Sequence, residues 1–348
     1  MIQSTLPHQY IDRNTRQIVT EKPIGDHSVR FLYNGVRESA PAMFKALTSA
    51  RISRLLAFFH YDLPVSHRKT GLELFKGIGA DWHECLDPLS FYDSHRKVFE
   101  RRIRYWETRP MNRNPSTIVS PADSRILIGS LADGSALFIK DKFFDLEELL
   151  GPAGSLWHNR FRTGDFAVFR LTPDKYHYNH VPVSGRVVDI YNLDGRYHSC
   201  NPSALIAMAS LCSKNRRVVT IINTDVDGGS AIGMVAMVEI VALMIGDIVQ
   251  TYSEDRYTNP QDVRPGMFLT KGCPKSLFRP GSSTDVLLFE PNRIRFADDL
   301  VSNSHRNDVQ SRFTNGFGRP LAETDIMVRS AIAEPLNQPQ LSIEEGNL

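Results

Sequence analysis

From about residue 117 onward the chain alternates short apolar runs with turn residues. Segments 125–128, 136–139, 165–171, 185–191, 217–222 and 233–241 each have the length and β-branched content of a strand. Strands at this spacing predict a β-sandwich or barrel-like core. One helix is predicted to interrupt it at 203–212. The run Phe144-Asp145-Leu146-Glu147-Glu148-Leu149-Leu150-Gly151 predicts a short helix stopped by its glycine. The longest apolar run, 231–249, carries Glu239 and Asp247 and is rich in Val, Ile and Met. A membrane span needs roughly 20 apolar residues with few charges, so this run reads as buried β-structure.

Upstream of residue 117 the period lengthens. Residues 41–62 set Met43, Phe44, Leu47, Ile52, Leu55, Leu56, Phe58 and Phe59 among Lys45, Arg51 and Arg54, the pattern of an amphipathic helix. Its apolar face suits either a protein core or an anionic lipid surface. Residues 69–110 read as mostly helical, ending at Arg109-Pro110. There Arg96, Lys97, Arg101, Arg102 and Arg104 alternate with Phe99, Tyr105 and Trp106, which suits a solvated helix face or a phospholipid headgroup surface. Residues 1–30 read as an irregular arm with short strands, and 335–348 as a disordered tail. The expected class is α+β. The expected order is a mostly helical N-terminal region, 1–115, suited to membrane association, then a β-rich sandwich or barrel-like domain, 116–334, and then the tail.

Composition narrows the function. The 348 residues carry a formal charge of +2, so no bulk field points to a nucleic-acid partner. Cys85, Cys200, Cys212 and Cys273 show no C-x-x-C spacing and read as reduced thiols. With no charged-then-apolar signal at the N-terminus, the expected location is cytoplasmic. Neither a G-x-x-x-x-G-K-[ST] loop nor an H-E-x-x-H motif occurs, and no metal site is expected.

The candidate chemistry lies near the end. Gly281-Ser282-Ser283-Thr284 is small and hydroxyl-rich, and Val286-Leu287-Leu288-Phe289 follows almost at once. Small residues let the backbone bend sharply, and a buried strand behind them would hold the bend rigid. A serine held there can attack the carbonyl of the residue before it.

Two further segments sharpen this. Ser120-Pro121-Ala122-Asp123-Ser124-Arg125 and Pro173-Asp174-Lys175-Tyr176-His177-Tyr178-Asn179-His180-Val181-Pro182-Val183-Ser184-Gly185 precede the serine motif in chain order. Together the three resemble the phosphatidylserine decarboxylase family, whose usual forms are Ser-Pro-Ala-Asp-Gly, Asp-Tyr-His-x-x-His-x-Pro-Val-x-Gly, and Gly-Gly-Ser-Thr or Leu-Gly-Ser-Thr. The resemblance runs from about Tyr10 to about Ala333 and takes in Tyr10-Ile11-Asp12-Arg13 and Glu323-Thr324.

The resemblance implies a pyruvoyl-dependent decarboxylase that cleaves itself, then converts phosphatidylserine to phosphatidylethanolamine and carbon dioxide. Counting from Lys271-Gly272, or back from Leu288-Phe289, puts the cleavage serine at Ser283 and the cut at Ser282–Ser283. Ser282 competes because it directly follows the glycine. By resemblance His180 is the base for Ser283 and Asp123 orients its ring. Ser283 becomes the covalent pyruvoyl cofactor, and His177 returns a proton to the substrate's α-carbon. Odd spacing puts the two imidazoles on opposite faces of a strand, so a bend is expected to bring both to the site. The implied partners are phosphatidylserine or an anionic membrane surface, the cleaved small chain 283–348, and a second copy in a homodimer. The implied place is peripheral, on the cytoplasmic face of the cell membrane. Lys175, Tyr178, Ser124, Pro280 and Asp285 depart from the family's usual residues. They leave open a soluble amino acid as substrate, or an uncleaved, non-enzymatic lipid-binding relative.

Overall fold

The computed structural model describes residues 6–22, 26–49, 51, 52, 55, 58, 61, 70–132, 143–243, 247–281 and 283–336. Its strands are β1 (Gln9–Asp12), β2 (Ile18–Thr20), β3 (Ile118–Val119), β4 (Ser124–Ser130), β5 (Asp165–Leu171), β6 (Tyr178–His180), β7 (Gly185–Leu193), β8 (Arg217–Asn223), β9 (Met234–Val241), β10 (Ile248–Gln250), β11 (Phe268–Leu269), β12 (Pro274–Phe278), β13 (Ser283–Phe289), β14 (Ile294–Phe296), β15 (Glu323–Ile326) and β16 (Ala331–Pro335). Ten of them form one sheet in the order β11-β7-β8-β9-β13-β5-β4-β15-β1-β2. Two three-stranded sheets, β10-β12-β6 and β14-β16-β3, accompany it. The class is α+β, as the pattern predicts. The large sheet is open, with β11 and β2 at its edges, and does not close into a barrel.

Side chains alternate across β13, and each face meets a different core. Val286 and Leu288 join Phe166, Val168, Val238 and Ile240 against Phe144, Leu149, Leu150, Phe313 and Phe317 from the helical side. Leu287 and Phe289 join Ala167, Phe169, Val235 and Met237 against Val181, Val183, Leu269 and Ile332 on the other side. A strand buried on both faces reads as a continuous apolar run, which is why Val286–Phe289 was so legible. Each such fully buried aliphatic or Phe side chain contributes roughly 1.5–3 kcal/mol.

The predicted strands at 165–171, 185–191 and 217–222 are present, and 125–128 lies within β4. The segment 136–139 lies outside the described residues. Run 231–249 supplies β9 and the start of β10, and among the described residues no helix is long and apolar enough to cross a membrane. The helix expected at 203–212 is two, Pro202–Ala207 and Leu211–Lys214, broken where Ser210 takes φ 54°. The 69–110 region holds short helices, among them Gly71–Ile78, His95–Phe99 and Tyr105–Thr108. The N-terminal arm carries short strands, as expected. β1 pairs parallel with β15 (Tyr10↔Glu323) and antiparallel with β2, so Ile11 is fully buried. Pairing along β15 satisfies backbone groups that an irregular arm would have left to water. The four cysteines are free thiols.

Candidate active site

Ser283 is the first residue of β13, opposite Val241 of β9 and Leu171 of β5. It is buried, and its Oγ has no hydrogen-bond partner. Gly281 just before it takes φ 148°, a backbone state that side chains disfavour. Ser282 lies outside the described residues. On the strand's two-residue period Ser283 shares the face of Asp285, Leu287 and Phe289. Leu171 packs with Ala122 and Phe278. The Phe278 N–H donates to the His177 carbonyl at 3.0 Å, and the His180 N–H to the Pro121 carbonyl at 2.7 Å. The three sequence motifs therefore converge at one end of β13.

His180 is fully buried. Its Nδ1 lies 2.8 Å from the Gly272 carbonyl oxygen, which can only accept, so Nδ1 carries the hydrogen. Nε2 therefore holds the lone pair, with Tyr176 Oη 3.0 Å away. Tyr176 Oη is in turn 2.8 Å from Tyr257 Oη. Burial pushes the Tyr176 phenol well above its ordinary value, so it stays protonated; the Tyr257 hydroxyl donates to the Ile103 carbonyl at 2.9 Å, so the one Tyr176 hydrogen is shared between Tyr257 Oη and His180 Nε2. Burial likewise drives His180 down to about 3, the Gly272 carbonyl pulling back only partly, so the imidazole is neutral.

His177 is also fully buried, and its ring stacks on Phe99 at 3.6 Å between centroids. Neither ring nitrogen meets a hydrogen-bond partner of good geometry. Burial, reinforced by Arg101, holds it well below the ordinary histidine value; the Lys175 backbone and Asp123 pull weakly upward. The rings of His177 and His180 have different neighbours, Phe99 for one and Tyr105 and Tyr176 for the other. Neither ring is hydrogen-bonded to Ser283.

Asp123 is buried where the sequence motif puts it, but it does not hold the His180 ring. Arg109 takes both of its oxygens, Nε at 2.9 Å from Oδ1 and Nη2 at 2.7 Å from Oδ2. The Val328 N–H donates to Oδ1 at 2.7 Å. A guanidinium fork outcompetes a neutral imidazole for a carboxylate. Burial would raise the Asp123 pKa, but the Arg109 charge and these bonds hold it below the ordinary value, so it is ionised. Its field still reaches both His177 and His180. Arg109 also binds Glu84 through Nη1 and Nη2, both at 2.8 Å.

The basic cluster has local partners. Arg101 is buried and donates to the Val98 carbonyl at 3.1 Å, and Arg102 Nη2 to Asp87 at 2.8 Å. Arg104 pairs with Glu107 and reaches the Cys85 and His83 carbonyls. Arg101 ties the N-terminal region to the Asp174 loop, while Arg102 and Arg104 pair within residues 83–107 and keep 40% and 35% of their side chains exposed. Lys175, a departure from the family's usual residue, is committed to Asp325 at 2.6 Å. On the opposite face of the sheet His8, Glu21 and Glu323 lie close enough to hold a metal ion. There Arg170 donates to Glu323 at 2.6 Å and to Glu21 at 2.7 Å, so a guanidinium already supplies the positive charge. A cavity of about 1100 Å³ beside Glu148, Arg196 and Arg217 contains none of the site residues.

Arg109, Tyr176 and Tyr257 were not assigned from sequence. Tyr176 stands inside the histidine motif, next to His177, and that position is the signal for it. Arg109 read only as a helix end, and Tyr257 belongs to no motif.

Comparison with known proteins places these residues in context. The sequence profile described as Phosphatidylserine decarboxylase matches residues 96–314. A phosphatidylserine decarboxylase proenzyme of Fusobacterium nucleatum subsp. nucleatum is 30% identical over 88% of this chain and 95% of its own length. One from Chlamydia trachomatis is 36% identical over 89% of this chain and 96% of its own. Phosphatidylserine decarboxylase proenzyme 3 of Schizosaccharomyces pombe is 30% identical over 84% of this chain but only 29% of that longer protein.

Proposed function

The chain belongs to the phosphatidylserine decarboxylase family, and from that premise we propose that it matures by cleaving itself at Ser283 and then converts phosphatidylserine to phosphatidylethanolamine and carbon dioxide. The observation that carries the reading is Ser283 itself, a buried hydroxyl without a partner where the three motifs converge. Residue 283 suits conversion to a pyruvoyl group. Its backbone is fixed by pairing with Leu171 and Val241, and its side chain makes no bond that conversion would break.

In maturation the Ser283 hydroxyl passes its proton to a histidine. Oγ bonds to the carbonyl carbon of residue 282, the C–N bond breaks, and the nitrogen takes a proton. Loss of the residue 283 α-proton then expels the residue 282 carboxylate together with the former Oγ. Water replaces the nitrogen, which leaves as ammonia. His180 suits the base because it is neutral and its lone pair sits on Nε2. Tyr176 must yield that lone pair, or relay through it. Asp123, held ionised by Arg109, favours the imidazolium through its field.

The pyruvoyl carbonyl supplies an electron sink for the departing carbon dioxide. His177 handles the returning proton. Its depressed basicity means that a proton placed on it is readily passed on. The membrane would supply the substrate. Phe31 is 70% exposed, and Met43, Leu55 and Phe58 are about half exposed. Tyr61, in the same N-terminal segment, packs edge-on against Phe99, which stacks on His177. Apolar side chains that would dip into a bilayer thus lie on a segment that abuts the site.

Intact-mass spectrometry tests the first half. Two chains are expected, 1–282 and a 283–348 fragment with a blocked N-terminus. A single unmodified chain after long incubation would refute the reading, and a fragment starting at residue 282 would move the cut by one. His180→Ala is expected to stay uncleaved, whereas His177→Ala cleaves but decarboxylates poorly. Equal failure of both to cleave would remove the division of roles. Turnover of free serine with no turnover of vesicle-borne phosphatidylserine would replace the lipid substrate with a soluble one.

A further inference from the structure

Beside Ser283 lies a charged cluster that the maturation chemistry leaves unused. Asp285 follows Ser283 by two residues on β13, so both side chains project from the same face. Register sets Asp285 opposite Glu239 of β9 and Phe169 of β5. Both carboxyl groups are fully buried. Glu239 is saturated with donors: Lys275 Nζ at 2.6 Å, Gln250 Nε2 at 3.3 Å, Asn179 Nδ2 at 3.3 Å, and the Ser276 hydroxyl. Lys275 gives a second hydrogen to Gln250 Oε1 at 3.0 Å. Neither Asp285 oxygen has a partner, and neither have Ser283 Oγ and Asn179 Oδ1.

Two carboxyl groups facing each other across adjacent strands, with one ammonium already bound to the first, do not both ionise. The contacts of Lys275 assign the charge to Glu239 and leave the proton on Asp285. Burial and then Glu239 push Asp285 well above the ordinary carboxyl value, and Lys275 offsets this only in part. The charged side chains acting on Asp285 are Glu239 from β9 and Lys275 from β12; β10, β6 and β5 present the uncharged Gln250, Asn179 and Phe169.

A neutral carboxyl offers one O–H and one carbonyl oxygen. The three unpartnered groups are complementary in kind: a protonated Asp285 has an O–H to give to Asn179 Oδ1 and a carbonyl oxygen to take the hydrogen of the Ser283 hydroxyl. Ser283 and Asp285 are about 6.6 Å apart along the strand, a gap that a side-chain rotation or one bridging water closes. We propose that Asp285 is a positioning residue for self-cleavage, a proton-carrying carboxyl that ties the Ser283 hydroxyl to Asn179 of the histidine motif and keeps a second negative charge away from the reacting carbonyl. The inference rests on Ser283 being the cleavage serine. Attack by Ser283 builds negative charge on the residue 282 carbonyl oxygen. An ionised Asp285 several ångströms away would oppose that charge and slow cleavage on the order of tenfold or more.

Two measurements on the full-length chain test this. The first uses the uncleavable Ser283→Ala precursor and infrared difference spectroscopy at neutral pH. The carbonyl stretch of an un-ionised carboxylic acid is expected, and Asp285→Asn removes it. Glu239→Gln removes it too, because freed Lys275 then pairs with an ionised Asp285. A spectrum in which Asp285→Asn changes no acid band overturns the proposal. The second follows the cleavage rate of freshly made precursor against pH. Wild type or Glu239→Gln shows a fall as pH rises, at lower pH in Glu239→Gln, and Asp285→Asn shows none. A fall that survives in Asp285→Asn, or its absence from both wild type and Glu239→Gln, overturns the proposal while leaving cleavage at Ser283 standing. A wild-type chain that never cleaves overturns both readings.

Discussion

Replacing Arg109 with leucine removes the only guanidinium bound to Asp123 among the described residues, and with it the charge that keeps this carboxylate ionised. Arg109 is 6% exposed at its side chain and Asp123 7%, so the orphaned carboxylate cannot recover its hydration. Breaking a buried pair from one side costs about 3–5 kcal/mol. Glu84, 28% exposed, can turn to water and adds little. Asp123→Asn is milder, about 1–3 kcal/mol, because Asn still accepts from the Val328 N–H and Arg109 keeps Glu84. The double variant Arg109→Leu/Asp123→Leu is expected to recover a good part of the single-variant loss, since no buried charge is left unpaired. The sign with pH follows from the depressed Asp123 value. Its contribution is full above the unfolded carboxyl range near pH 4 and is lost as pH falls through the folded value. Urea unfolding in the Ser283→Ala background, a single chain that cannot cut itself, measures all three. A loss under 1 kcal/mol in Arg109→Leu, or a greater loss in Asp123→Asn, would refute the assignment of Arg109 as the group that holds Asp123 charged.

His180 titrates near 3 in the folded chain against an ordinary 6.5, so the same precursor should be fully stabilised above about pH 6.5. It should lose up to about 5 kcal/mol as pH falls toward 3, and His180→Gln should flatten that slope; an unchanged slope means that His180 is not buried neutral. Changing Phe31, Met43, Leu55 and Phe58 to serine should weaken vesicle binding by about 1 kcal/mol per residue that enters the bilayer. Because Arg101, Arg102 and Arg104 already have protein partners, added salt should matter less in flotation assays than these four changes, and the opposite ranking would favour the basic cluster as the docking surface.

The sequence by itself determined the long central strands, because β5, β8 and β13 are buried on both faces or nearly so and their apolar runs stand out without any partner. It also named the candidate residues: Asp123, His177, His180 and Ser283 sit in short motifs whose spacing survives in one dimension. Tertiary structure decided who touches whom. Asp123 binds Arg109 and not His180, because a guanidinium at the end of the preceding helix makes the stronger bond. The lone pair of His180 faces Tyr176, and Tyr176 meets Tyr257, contacts that depend on how β6 lies against the 250s loop. Arg101, Arg102 and Arg104 look alike as letters, yet Arg101 is buried on backbone carbonyls while Arg102 and Arg104 pair with nearby carboxylates at the surface. Asp285 reads as a stray acid within an apolar strand. Only strand register, setting it opposite Glu239 while Lys275 is bound to Glu239, decides that it holds a proton. Periodicity and motif spacing are local and survive in the sequence; charge state and hydrogen-bond partnership depend on groups far apart in the chain and exist only once the sheets have packed.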